Sequence, residues 1–361
     1  MASVPAHMLL AGVEQIDLHD TIIDVRSPAE FAEDHVPGAI NCPVLDDEQR
    51  ARVGTLYVQD SPFAARRLGA ALVARNIARH IEEQFLVHPR QWKPLVYCWR
   101  GGQRSGAMTT VLTQVGWGAR QLQGGYRAYR RRVIADLEAL PGRCRFIVLH
   151  GPTGSGKTAL LEAVERAGGQ VLNLEALARH RGSVLGGPAP DALPQPGQKA
   201  FESALWRDLR RFDPARPVYA ESESRRIGRL GLPTALFEAL VDAQCVRIDA
   251  PLQARVAHLI ERYGDIYRHP QVLRQRLDFF VEQHGRAVVE QWRLWVDEAQ
   301  WALLAEAMVR AHYDPAYRRG GNALYRHAGA AQHLELESLG GDAIIGAAHA
   351  IMQGTGTRNA E

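Results

Sequence analysis

Apolar residues fall in short blocks along the chain, and between the blocks they recur at helical spacing. "TIIDVR" at residues 21–26 reads as a short buried strand ending in a charged pair, Asp24 and Arg26. "SPAEFAEDH" follows, with Ser27 as helix N-cap, Pro28 at the first helical position and Glu30 three residues after the cap, a capping box. "VPGA" is a turn and "INCPV" starts another strand, so a β-α-β alternation is under way. Residues 46–90 read as largely helical, and "AARRLGAALVARNIARHIEEQF" is their strongest amphipathic run. A strand at 95–97, a tight loop and a helix opening at Ser105 and running to Val115 come next. "ARQLQGGYRAYRRRVIADL" then supplies a short strand, a Gly-Gly turn and a closing helix. These elements predict one α/β domain over residues 1–140, with Pro141 to Arg143 as a linker.

The alternation restarts at once. "RCRFIVLHGPTGSGKTALLEAVERAG" is an apolar strand at 146–149, a glycine-rich loop and an amphipathic helix. "VLNLEALARHRGSVLGG" and the Pro/Gly-rich "PAPDALPQPGQ" are too polar for a core and too long for an idle connection, which suggests a lid or substrate contact. "RPVYAESESRRIG" reads as a further strand, and residues 236–308 as mostly helical. Trp292, Trp295 and Trp301 lie at helical spacing there and are assigned to packing rather than to base stacking. The last forty or so residues, rich in Ala and Gly, carry no readable pattern, and no internal repeat is visible. The expected fold class is α/β: an N-terminal α/β domain, then a second α/β domain over 141–361 whose C-terminal part is largely helical.

Composition narrows the setting. Apolar content of 46% and charged content of 23% are those of a soluble globular protein. No apolar run approaches the roughly 20 residues of a membrane helix. "MASVPAHMLLAGVEQ" has neither the basic start nor the apolar length of a signal peptide, so a cytoplasmic protein with no membrane partner is expected. Cys42, Cys98, Cys144 and Cys245 stand far apart without zinc spacing, which argues for a reducing compartment and against a structural metal. A net charge of +3 is weak testimony for nucleic acid. Arginines nevertheless cluster at Arg127 and Arg130 to Arg132, at Arg179 and Arg181, and at Arg225, Arg226 and Arg229, as phosphate contacts or as solvated faces.

Two stretches carry chemistry. In "LVYCWRGGQRSGAM", residues 95–108, a strand-to-helix switch points backbone N–H groups and the helix dipole into the loop. Cys98 at the rim is expected to feel those amides, including Gly101 and Gly102, together with Arg100 and Arg104, and to ionise near neutrality or below. The product is a nucleophilic thiolate beside an oxyanion cradle. In "GPTGSGKT", Gly151, Gly156, Lys157 and Thr158 complete the phosphate-loop pattern, with Thr153, Gly154 and Ser155 between them. Such a loop wraps a diphosphate in amides, bridges its oxygens with lysine and offers a hydroxyl to Mg²⁺. Glu221, after the apolar "VYA", either shares Mg²⁺ with Thr158 or is a solvated strand end; Glu223 lies two residues on. Arg179, His180, Arg181 and Ser183 are candidate phosphate contacts.

"DVRSPAEFAEDHVPGAIN", the Cys98 loop and "LQGGYRAY" resemble a rhodanese-type sulfurtransferase domain, whose loop cysteine carries a persulfide or selenopersulfide. Cys98 to Arg104 is C-x5-R, one residue longer than is common in small rhodaneses. That spacing occurs in related cysteine phosphatases and suits a tetrahedral, phosphate-like group. With "GPTGSGKT", "HRGSVLG" and "ESESRRIG", the chain from about 10 to 320 resembles the tRNA 2-selenouridine synthase family. The resemblance implies that sulfur of wobble 2-thiouridine in tRNA is replaced by selenium from selenophosphate, through an S-geranylated intermediate made with geranyl diphosphate. Catalytic roles would then fall to Cys98, Arg100 and Arg104, and diphosphate binding to the loop from Gly151 to Thr158. Substrate contacts would fall to Gly101, Gly102, Arg179, Arg181, Arg225 and Arg226. No tightly bound cofactor is expected; selenophosphate and geranyl diphosphate are co-substrates, Mg²⁺ is a candidate ion, and the partners are 2-thiouridine tRNA and the enzyme that supplies selenophosphate. The residues also leave open a sulfurtransferase coupled to an ATPase or kinase-like domain, and a cysteine phosphatase.

Overall fold

The computed structural model describes residues 9–321 and 324–354. The chain divides into two compact units: residues up to Asp136 together with Glu202–Trp206, and the remainder from Leu137 onward. Pro141–Arg143 is a short 3-10 turn with Pro141 buried, not an open linker.

The first unit holds a five-stranded parallel sheet in the order β1-β5-β4-β2-β3. Its strands are β1 (Leu10–Ala11), β2 (Thr21–Asp24), β3 (Ile40–Asn41), β4 (Pro94–Tyr97) and β5 (Arg120–Leu122). All four residues of β4 are buried, as expected where helices cover both faces of a parallel sheet. The helices start where local chemistry supplies caps. Glu30 accepts the Ser27 amide at 3.2 Å before the helix Pro28–Glu33, and Ser61 Oγ accepts the Ala64 amide at 3.1 Å before Pro62–His80. Cys98 belongs to the core cluster beneath the sheet, with Ile23, Val96, Met108 and Leu112.

The charged pair at the end of β2 turns inward. Arg26 Nη2 lies 2.6 Å from Asp24 Oδ2, and both side chains are almost wholly buried. The same guanidinium donates to the Asp34 carbonyl at 2.7 Å and lies 4.1 Å from the centroid of the Tyr126 ring. Tyr126 Oη donates to Asp34 Oδ2 at 2.8 Å, and Ser203 Oγ to the same oxygen at 3.1 Å. One buried cation thus ties together the loops that follow β2 and β5.

The second unit repeats the plan with a parallel sheet in the order β12-β11-β6-β8-β7. Its strands are β6 (Arg145–His150), β7 (Gln170–Leu172), β8 (Pro217–Glu221), β11 (Gln244–Asp249) and β12 (Gln332–Glu335); a small hairpin, β9 (Arg226–Ile227) and β10 (Leu230–Gly231), stands outside it. The region 236–308 is mostly helical, as expected, with one strand, β11, that pairs with β6. Two expectations are corrected here. The final stretch has structure: β12 closes the sheet, and Ile344, Ala347, Ala348 and Ile351 of the helix Gly341–Gly354 pack on Leu160, Leu161 and Val164. The segment read as too polar for a core contributes buried Leu172, Leu174, Ala178 and Leu185. Trp292 is core, with Trp295 and Trp301 packed against its cluster.

Removing one member of a buried ion pair leaves the other charged and unpaired, at a cost of about 3–5 kcal/mol. Asp24→Asn is therefore expected to lower the stability of the first unit by about that amount, as measured by urea unfolding followed through tryptophan fluorescence; a loss below about 1 kcal/mol would contradict the tying role of Arg26.

Candidate active sites

The thiol loop grows from the end of β4. The following helix, Gln103–Val115, starts two residues before Ser105, with Gly102 as its cap. That places Ser105 in the first turn, where Oγ donates to Cys98 Sγ at 3.2 Å. The Gly102 amide donates to the same sulfur at 3.3 Å. Burial by itself would push the thiol up, but these donors, a further one from the Ser105 backbone and the Arg104 charge outweigh it, so the Cys98 pKa is lowered. The cause differs in part from the expectation. Arg104 contributes, but its Nη1 is paired with Glu30 Oε2 at 3.0 Å, and Arg100 is exposed to solvent.

The loop is held from behind. Gln121 Nε2, from β5, donates to the Gly101 carbonyl at 2.6 Å, the Gly102 carbonyl at 3.1 Å and Ser105 Oγ at 3.0 Å. The Tyr126 amide donates to the Cys98 carbonyl at 2.9 Å, and the Trp99 and Tyr126 rings stack at 5.2 Å. This approach requires glycine at 125: its φ is +58°, and a Cβ there would overlap the Cys98 carbonyl oxygen and the Gly101 nitrogen. Ser105 and Gln121 are residues that sequence reading missed. Their signal, a hydroxyl in the first helical turn and an amide on the neighbouring strand, becomes visible only once the strands are paired.

The glycine-rich loop joins β6 to the helix Lys157–Arg166. Thr153, Gly154, Ser155, Gly156, Lys157, Thr158 and Gly151 all line one cavity of about 540 Å³. A Cβ on Gly151 would collide with the Ile248 carbonyl oxygen at the end of β11, so the strand that sequence reading missed fixes the entrance to the loop. Arg255 clamps the other side. Its Nη2 donates to the Thr153 carbonyl at 2.8 Å while pairing with Asp314 at 2.6 Å. Lys157 Nζ donates to the Gly151 and Pro152 carbonyls at 2.8 and 3.3 Å.

The acidic surround is larger than expected. Thr158 Oγ1 donates to Glu175 Oε2 at 3.1 Å, and the Glu175 amide donates to Glu221 Oε1 at 2.8 Å. Glu221 is buried, not a solvated strand end, and its Oε2 has no hydrogen-bond partner among the described residues. Burial first, then the neighbouring carboxylates, push Glu221 well up and Glu223 up to about 8; burial also raises Glu175 against the pull of Lys157. Lys157 is lowered by burial although the three glutamates oppose this. Among the described residues no group of three or more His, Cys, Asp or Glu is arranged to hold a metal ion.

The arginine candidates separate. Arg181 lines the same cavity, donates to Asp265 at 2.7 Å and lies 5.0 Å from the Tyr263 ring centroid. Arg179 lines an adjoining cavity with His180 and Arg262. Arg225 and Arg226 lie on the hairpin arm instead; Arg225 bonds Thr234 Oγ1 at 3.1 Å. In the first unit Arg130 pairs with Glu202, and Arg132 pairs with Asp136 at 2.8 Å.

Comparison with known proteins covers both units. A profile of the tRNA 2-selenouridine synthase AAA domain matches residues 144–275, and one of the rhodanese-like domain matches residues 6–132. A tRNA 2-selenouridine synthase of Nitrosomonas europaea is 38% identical over 249 residues, 67% of this chain and 63% of the relative. One from a Sulfurovum species is 32% identical over 359 residues, 87% of this chain and 93% of the relative. One from Aeromonas salmonicida is 34% identical over 337 residues, covering 92% and 81% respectively. The match thus spans under two thirds of the Nitrosomonas relative and most of the other two.

A lowered thiol reacts at lower pH. Cys98 is expected to be alkylated by iodoacetamide with a rate midpoint below that of a free thiol, while Cys42, pushed up to about 12, and Cys245, to about 11, stay silent near neutrality. Ser105→Ala removes a donor to the thiolate and should move the Cys98 midpoint upward. Peptide mass spectrometry across pH reads each cysteine separately, and an unmoved midpoint would contradict the assigned cause.

Proposed function

The chain belongs to the tRNA 2-selenouridine synthase family, and from that premise we propose that it exchanges sulfur for selenium at the wobble 2-thiouridine of tRNA in two steps. In the first, the loop from Gly151 to Thr158 grips the diphosphate of geranyl diphosphate while the thiouridine sulfur takes the geranyl carbon. In the second, the selenium of selenophosphate attacks C2 of the base at the Cys98 loop, geranylthiol leaves, and water then cleaves the P–Se bond, releasing phosphate and leaving 2-selenouridine. The carrying observation is the state of Cys98: a thiol of lowered pKa, held by Ser105 and Gly102 in a C-x5-R loop able to surround a tetrahedral selenophosphate.

The residues of the second unit support the first step. Diphosphate is a better leaving group when amides and a cation take up its developing charge, and Lys157 and the loop residues, which line the cavity, would do this. Burial raises the three glutamates nearby, and a divalent ion beside them would let them ionise next to the diphosphate, so such an ion fits the reading. Thr158 and the partnerless oxygen of Glu221 are the groups that would hold Mg²⁺, which when bound would neutralise phosphate charge. Arg179 and Arg181 are the basic residues beside the cavities that would meet tRNA phosphates. The cytoplasm, where 2-thiouridine tRNA and a selenophosphate-producing enzyme would be met, is the compartment this reading requires; among the described residues no helix is long and apolar enough to cross a membrane.

Two substitutions divide the steps. Cys98→Ser is expected to abolish selenium incorporation and leave geranylation within about two-fold, whereas Lys157→Ala should slow geranylation by about 10²-fold. Both are read by nucleoside mass spectrometry of thiolated tRNA incubated with geranyl diphosphate and selenophosphate. Loss of both products in Cys98→Ser, or normal geranyl transfer in Lys157→Ala, would overturn this division of labour.

A further inference from the structure

The cavity around the anion loop has an apolar exit. Thr153, Leu259, Tyr263 and Tyr313 line that cavity, and the same four residues line a second, narrower crevice. Beyond them the crevice is walled by Leu185, Ile266, Leu273, Leu304, Ala305 and Met308, each at most 7% exposed. The Tyr263 hydroxyl is taken up by Ser183 Oγ at 2.9 Å, and the Tyr267 ring is stacked on Trp301 at 4.5 Å. A nucleotide base needs polar groups for its ring edges, and of the seven wall residues beyond the shared opening six have only aliphatic side chains or a thioether, Tyr267 being the seventh. An anion-gripping loop that opens into hydrocarbon suits an amphiphile with a diphosphate head and an apolar tail.

We propose that this crevice receives the hydrocarbon chain of the prenyl diphosphate held at the anion loop, with Ala305 and Met308 setting the chain length accepted. The inference rests on the reading above that the loop takes an isoprenoid diphosphate. The crevice has about 30 Å³ of free room, so its wall must part to admit the chain. Met308 is the place for that to happen. It is unbranched and adaptable, it ends the helix Trp301–Met308, and a widened π turn, Val309–Tyr313, follows directly. That turn also carries Tyr313 to the opening shared by crevice and cavity.

The test is calorimetric titration of the full chain, in Mg²⁺ buffer, with inorganic diphosphate and with dimethylallyl, geranyl and farnesyl diphosphates. The wild-type protein should bind geranyl diphosphate at least about ten-fold more tightly than the dimethylallyl compound, because further methylene and methyl groups leave water. Ala305→Phe fills the crevice and should weaken geranyl diphosphate by about 30-fold while inorganic diphosphate still binds. Met308→Ala widens the crevice and should improve farnesyl diphosphate by about ten-fold, a gain that a merely damaged fold would not produce. If geranyl diphosphate binds no more tightly than inorganic diphosphate, or if both variants keep the wild-type preference, the crevice assignment is overturned and the loop's role as diphosphate site stands. If the wild-type protein binds neither geranyl nor inorganic diphosphate, the reading of the loop falls, and this inference with it.

Discussion

The first amides of a helix have no partner within the helix, and that shortage of acceptors organises both halves of this protein. A parallel strand delivers the chain to the edge of a sheet, a glycine-rich loop reverses it, and the next helix starts with its N–H groups aimed into the loop. In the first unit the acceptor that meets them is a sulfur: Cys98 takes hydrogen bonds from Gly102 and Ser105. In the second unit the loop ahead of Lys157 lines a cavity of about 540 Å³. One constraint, met twice, yields a thiol of lowered pKa in one case and the proposed diphosphate site in the other. The two chemistries of the proposed reaction follow from what occupies the loop.

Holding such loops open requires buried charge, and each charge is matched nearby. Arg26 is paired with Asp24 and capped by the Tyr126 ring, so that the Gly-Gly turn carrying Tyr126 stays against the thiol loop. Arg255 plays the corresponding part in the second unit, bridging Asp314 to the Thr153 carbonyl. The exception is the cluster of Glu175, Glu221 and Glu223 around Lys157, where carboxyls are pushed up and the lysine down because burial penalises every charge there. The proposed diphosphate and Mg²⁺ would bring such a site both negative and positive charge. Such strongly displaced ionisations concentrate where chemistry is done.

What sequence alone could read was whatever is encoded within a few neighbouring residues. The capping signal at Ser27 and Glu30, the glycine spacing from Gly151 to Thr158, the Cys98 loop and the apolar strands β2, β4 and β6 are all local, and their physical meaning does not wait for distant partners. The relationship to a family was likewise carried by short contiguous motifs. Tertiary structure decided the rest, because it depends on residues far apart in the chain. β11 and β12 look unremarkable as segments and become strands only by pairing in the sheet that begins at β6. Glu175 reaches Thr158 and Glu221 through the crossover after β7, Gln121 reaches the thiol loop from a neighbouring strand, and Arg225 and Arg226 are carried away on a hairpin that no local pattern announced. Local propensity chooses the elements, whereas burial, which no residue can have by itself, chooses which charges meet and what their protons do.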